Sequence, residues 1–132
     1  MDPGTKRVGL ALSDPTGTIA QPLTTIGAEP RGTLAARLAE MAREKDVRKI
    51  VVGLPRRMDG SLGPEAKAAR RLATELRETS RLPVELVDER LTTAAAEKAL
   101  LEEGVRREKR RASIDRVAAA LLLQAHLDRK RG

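Results

Sequence analysis

Four carboxylates stand where acids can do chemistry. Asp2 opens "DPGTKRVGLALSD", Asp88 and Glu89 close the run "LPVELVDE", and Asp115 lies in the otherwise apolar "SIDRVAAALLLQ". Taking an unpaired carboxylate out of water is costly, so an acid in such surroundings needs a cation, a donor or a metal ion. Singly, each has an ordinary structural reading: a chain terminus for Asp2, acids facing the next helix for Asp88 and Glu89, and a first-turn acid complementing a helix dipole for Asp115. Together they have a chemical one. Strand ends and helix starts converge in open α/β sheets, where ligands bind beyond the carboxyl ends of the strands. Three or four carboxylates gathered there would hold Mg²⁺ or Mn²⁺. Two such ions about 4 Å apart activate a water and stabilise the leaving oxygen in phosphodiester cleavage. Asp14 serves as a control: it too ends an apolar run, but "DPTGT" reads as a hairpin turn, and no chemistry is assigned to it.

The cations fall near these acids. Lys6 and Arg7 follow Asp2, Arg56 and Arg57 lie in the Gly-rich "GLPRRMDGSLGPEA", and Arg106, Arg107, Lys109, Arg110 and Arg111 fill "VRREKRR". Residues 104–132 hold nine Lys/Arg against three Asp/Glu, so they carry six of the seven net positive charges. A solvated basic loop is the plain reading of "VRREKRR". Clustered Arg in a chain of pI near 10.5 favours a polyanion partner, with all these cations expected to hold phosphates. The Gly-rich loop lacks the Gly-Lys-Ser/Thr ending of a nucleotide-hydrolase phosphate loop, and the chain contains no GxGxxG. Without Phe, Tyr or Trp there is no stacking on bases, which leaves phosphate neutralisation and Arg planes. The absence of Cys excludes disulfides, thiol nucleophiles and thiolate metal sites. The single histidine, His126, builds no metal cluster and is expected on a helix surface rather than as a base. No signal segment and no long apolar run occurs, so the chain is expected to be soluble and cytoplasmic, with no membrane partner.

At 132 residues, residues 1–132 are expected to form one domain. Strands are predicted at 7–13 and 20–26, joined as a hairpin, and at 47–55 and 82–89. Helices are predicted over 31–46, from Pro64 to residue 80, from Thr92 or Thr93 to Glu103, and from about Ser113 onward. The last helix is apolar nearly all round and so is expected to lie buried against a sheet. A mixed sheet with helices on its faces follows from this order.

The segments "DPGTKRVGLALSD", "VVGLPRRMDGSLG", "VDERLTT" and "SIDRVAAALLLQ" resemble, in order and separation, the YqgF/RuvX family, described as Holliday-junction-resolvase-like proteins or pre-16S rRNA nucleases. The resemblance spans essentially the whole chain. It implies a ribonuclease-H-like α/β fold, with a five-stranded mixed sheet whose first three strands are antiparallel. It also implies that Asp2 is the first-strand aspartate, Glu89 the acid of the Asp-Glu-Arg block and Asp115 the aspartate of the C-terminal helix. In the family a short apolar strand leads into the first aspartate, whereas here Met1 alone precedes it, so about half of the first strand is expected to be missing.

The function expected is metal-dependent hydrolysis of phosphodiesters in structured RNA, at the 5′ end of precursor 16S rRNA. Asp2, Glu89 and Asp115 would be catalytic and hold two Mg²⁺ or Mn²⁺ ions, assisted by Asp88. The alternatives are a resolvase of branched DNA, which requires a homodimer because two strands are cut, and a catalytically silent nucleic-acid-binding module.

Overall fold

The computed structural model of the chain describes residues 1–3, 6–55, 59, 61–88 and 108–131, with the backbone alone at 2–3, 108–114 and 131. The elements are β1 (Asp2–Pro3), β2 (Arg7–Ser13), β3 (Ala20–Gly27), α1 (Arg31–Glu44), β4 (Ile50–Leu54), α2 (Pro64–Ser80), β5 (Val84–Asp88) and α3 (Glu108–Arg131). The predicted helix at 92–103 and the Arg56–Arg57 loop lie outside the described residues.

The first hairpin forms where the turn chemistry demands it. Asp14 Oδ1 accepts from the amides of Thr18 (2.7 Å) and Ile19 (2.9 Å), Oδ2 accepts from the Thr16 hydroxyl, and Gly17 supplies the positive φ of 69°. These bonds, that from Ile19 first, hold the Asp14 carboxyl at a pKa of about 2. Asp14 is thus a turn residue, as its sequence context indicates. β2 and β3 pair antiparallel with a register shift after Leu10, and β3 lies at the sheet edge, where Pro22 is tolerated because no neighbour needs its missing N–H.

The strands form two sheets, β1-β2-β3 antiparallel and β4-β5 parallel, rather than one sheet of five. Between the two sheets, Met1 N donates to Val51 O (2.5 Å) and Gly53 N donates to Met1 O (3.0 Å). That is the bond pattern of a parallel bridge centred on Val52. A ladder needs successive bridges; Met1 supplies one, while Asp2–Pro3 pair with β2.

The faces of the strands sort the core with period two. Val8, Leu10, Ile50, Val52 and Leu54 are buried with Leu34, Leu38, Leu72 and Leu76 of α1 and α2, whereas Val51 and Val87 are buried with Leu122 of α3. The long last helix lies chiefly across β2 and β3. It begins at Glu108, about a turn before the predicted Ser113. Glu, Lys and Arg are good helix formers, so residues 108–111 of the basic run continue the helix rather than forming a loop. None of the described helices is long and apolar enough to cross a membrane.

Candidate functional site

Gly9 fixes the place of Asp115. A Cβ at Gly9 would lie 2.1 Å from the Asp115 carbonyl oxygen and 2.4 Å from its carbon, so the helix backbone rests directly on β2 there. Gly9 is also the residue paired with Asp2 across the β1–β2 ladder. The backbones of Asp2 and Asp115 therefore meet at one glycine, although 112 residues separate the two in sequence.

Asp115 is 7% exposed, and it lies two turns inside α3. That is too far in to serve as a first-turn partner of the helix dipole, whose effect is confined to the terminal turn. Its charge is met by β2 instead: Arg7 Nε donates to Asp115 Oδ2 at 2.9 Å. Arg7 was expected to hold substrate phosphate; the structure shows it bonded to an acid. Lys6, beside it, is exposed, and its carbonyl accepts from Ala28 N at 2.9 Å.

Asp88 ends β5 opposite Leu54, at the carboxyl edge of the parallel pair, as predicted. It lines a groove of about 360 Å³ together with Glu85, His126, Arg129 and Lys130. Among the described residues no three acids or histidines come together as a metal cluster. The side chain of Asp2 and those of Lys109, Arg110 and Arg111 lie outside the described residues, as do Glu89, Arg56, Arg57, Arg106 and Arg107.

His126 is not on the helix surface, since it is 7% exposed. Its Nε2 lies 3.5 Å from Glu85 Oε2, and Lys49 Nζ lies 2.7 Å from the same oxygen. Burial lowers the His126 pKa below 6.5 against the opposing pull of Glu85, while the hydrogen bond from Lys49 lowers that of Glu85. The positions 115, 119, 122 and 126, all buried, repeat at steps of four, three and four. That seam was present in the sequence as the signal of one helix face, but the apolar residues all round it hid which face mattered.

Residues 1–129 match the family described as "RuvX: Holliday junction resolvase". The chain belongs to the RuvX family. Curated relatives named "Putative pre-16S rRNA nuclease" include one from Moorella thermoacetica, 51% identical over 98% of this chain and 92% of that protein. Another, from Roseiflexus, is 47% identical over 99% of this chain and 93% of that protein. A third, from Bacillus cereus, is 48% identical over 98% and 96%. Among solved structures, Thermus thermophilus RuvC in complex with a Holliday junction substrate aligns with a TM-score of 0.60 at 21% identity, covering 99% of this RuvX-family chain and 92% of that one. The α/β fold is therefore that of RuvC, with its described strands in two sheets that Met1 bridges at Val52.

Proposed function

We propose that this chain is a divalent-metal-dependent nuclease that hydrolyses phosphodiesters in structured RNA, and that its substrate is the 5′ end of precursor 16S rRNA in the cytoplasm. One observation carries the proposal: an acid that is almost fully buried, Asp115, rests on Gly9, which pairs with the backbone of Asp2 across the β1–β2 ladder. The near-identical length and roughly half-identical sequence of relatives named as pre-16S rRNA nucleases support the choice of substrate.

The donor set suits a hard cation. Asp2, Asp88, Glu89 and Asp115 offer only carboxylate oxygens, and the chain has no Cys and one His, so the set suits Mg²⁺ or Mn²⁺ better than the softer Zn²⁺. Asp2, Glu89 and Asp115 would hold the metal, with Asp88 assisting. A bound pair of ions would supply an activated water and charge neutralisation at the leaving oxygen. The protein's own part is to orient and to bind. Arg7 fixes the rotamer of Asp115 through the 2.9 Å bond, and the backbone contact at Gly9 fixes its depth. Lys6, Arg56, Arg57 and the cations of 106–111 hold substrate phosphates, which four acids would otherwise repel.

A second reading, resolution of four-way DNA junctions, has the family description and the fold shared with RuvC in its favour. It demands two copies of the site about a two-fold axis. Side-by-side cleavage of a precursor-rRNA mimic and a four-way junction, in Mg²⁺ and in Mn²⁺, separates the two. The rRNA mimic is expected to be cut faster, and Asp115→Asn is expected to lower cleavage by orders of magnitude while the protein still folds. An Asp115→Asn protein that cuts like the parent places the site elsewhere. Binding in EDTA with no cleavage in Mn²⁺ would make the chain a silent binding module.

A further inference from the structure

The first two turns of α2 carry a cationic stripe that the site described above does not use. Lys67, Arg70 and Arg71 are all exposed, and their spacing of three and four residues places them on one helix face. The opposite face, Ala66, Ala69, Leu72, Ala73 and Leu76, is buried. Among the described residues no acid forms an ion pair with any of the three. Like charges at this spacing disfavour a helix by a few tenths of a kcal/mol per pair, which the one acid at that spacing, Glu75 four residues after Arg71, offsets only in part.

Its position is set by topology. α2 connects the parallel strands β4 and β5, so it runs back against them and starts at their carboxyl edge. That edge holds Asp88, and there Gly53 N bonds the residue preceding Asp2. The cations occupy the end of α2 at the candidate site, where Glu65 is the one acid, whereas its far half carries Glu75 and Glu78 against Arg77. Lys67 and Arg71 are about 6 Å apart along the axis, and their long side chains reach successive phosphates.

We propose that Lys67, Arg70 and Arg71 form a phosphate-binding track, along which the backbone of the nucleic-acid substrate lies as it leaves the acidic site. The proposal rests on the reading that the substrate is a nucleic acid, but not on cleavage. The test is salt-dependent binding of the precursor-rRNA mimic in EDTA, comparing the parent with the triple variant Lys67→Gln, Arg70→Gln, Arg71→Gln. A second triple variant, Lys45→Gln, Arg48→Gln, Arg81→Gln, removes the same charge from exposed positions at the opposite end of the strands. Glutamine keeps helix propensity close to that of Lys and Arg, and circular dichroism checks the fold.

The α2 variant is expected to bind at least tenfold more weakly and to lose about two units of log–log salt slope. The other variant is expected to change affinity by less than about threefold. Equal losses in the two variants would reduce the effect to net charge and overturn the track, as would an α2 variant that binds like the parent. A parent that binds neither the RNA nor a four-way junction would overturn the nucleic-acid reading together with the track. A parent that binds in EDTA but does not cut in Mg²⁺ or Mn²⁺ would overturn only the nuclease.

Discussion

The bond between Arg7 and Asp115 joins residues 108 apart in the chain, and no spacing rule could have paired them. Asp115 stood out because a charge in an apolar helix must be compensated; its partner did not, because Lys6 and Arg7 read equally well as phosphate ligands. The side chains of Arg7 and Asp115 are 21% and 9% exposed, so neither is well solvated. Arg7→Ala takes a cation away from a desolvated carboxylate, which is expected to cost about 1–3 kcal/mol. Adding Asp115→Ala to it is expected to recover part of that loss, because the less well compensated charge disappears with its acid. Chemical denaturation of the parent, the two single variants and the double variant measures the coupling. Strict additivity would mean that the two side chains do not stabilise each other. The burial of His126 was missed for a related reason: a helix apolar on every face gives its one imidazole no side that is evidently wet.

At the scale of elements, punctuation was what made the sequence readable. Pro15 and Gly17 bound the first hairpin, Pro64 starts α2, and the β-branched run before Gly53 and Pro55 marks β4 as fully buried. The start of α3 had no such mark. A basic run reads alike as helix or as solvated loop. The docking of α3 was equally hidden, because it depends on an absent side chain at Gly9. Gly9→Ala puts a methyl 2.1 Å from the Asp115 carbonyl, and both contacting groups are backbone. The helix must be displaced, at an expected cost of about 1–3 kcal/mol or more. Cleavage is expected to fall further than stability alone explains, since Asp115 moves with its helix. Gly32→Ala is the matched control: nothing lies within 4 Å of its Cβ and it sits in α1, so it is expected to stabilise by about 0.5 kcal/mol. Melting curves and cleavage rates of the two variants decide the matter. A Gly9→Ala protein as stable and active as the parent would show that α3 tolerates the shift.

Over the described residues, the mixed antiparallel and parallel pairing followed from the sequence, whereas the division into two sheets did not, because it turns on one bridge among them, at Met1. The same integration governs how stability depends on pH. His126 is the chain's one histidine; it faces the Glu85 carboxylate of β5, whose same oxygen also holds Lys49 ahead of β4, with the charges of Arg129 and Lys130 acting on it from α3. Burial holds its pKa below 6.5, so the unfolded chain takes up the proton first as the pH falls. Stability is then full above about pH 6.5, declines below it, and levels off once the folded imidazole also protonates. Asp14 acts in a lower window: its folded pKa of about 2 against 3.8 means that its contribution is intact above pH 4 and disappears as the pH falls toward 2. Thermal melts from pH 8 to pH 3 are expected to show a first decline starting near pH 6.5 in the parent. His126→Gln, which cannot take up the proton, is expected to lose that first decline and keep the acid one, while Asp14→Asn is expected to keep the first and to soften the acid one, part of which remains because the Glu85 pKa is lowered as well. A His126→Gln protein that still declines between pH 6.5 and 5 would show that a group other than the buried imidazole sets the near-neutral limit.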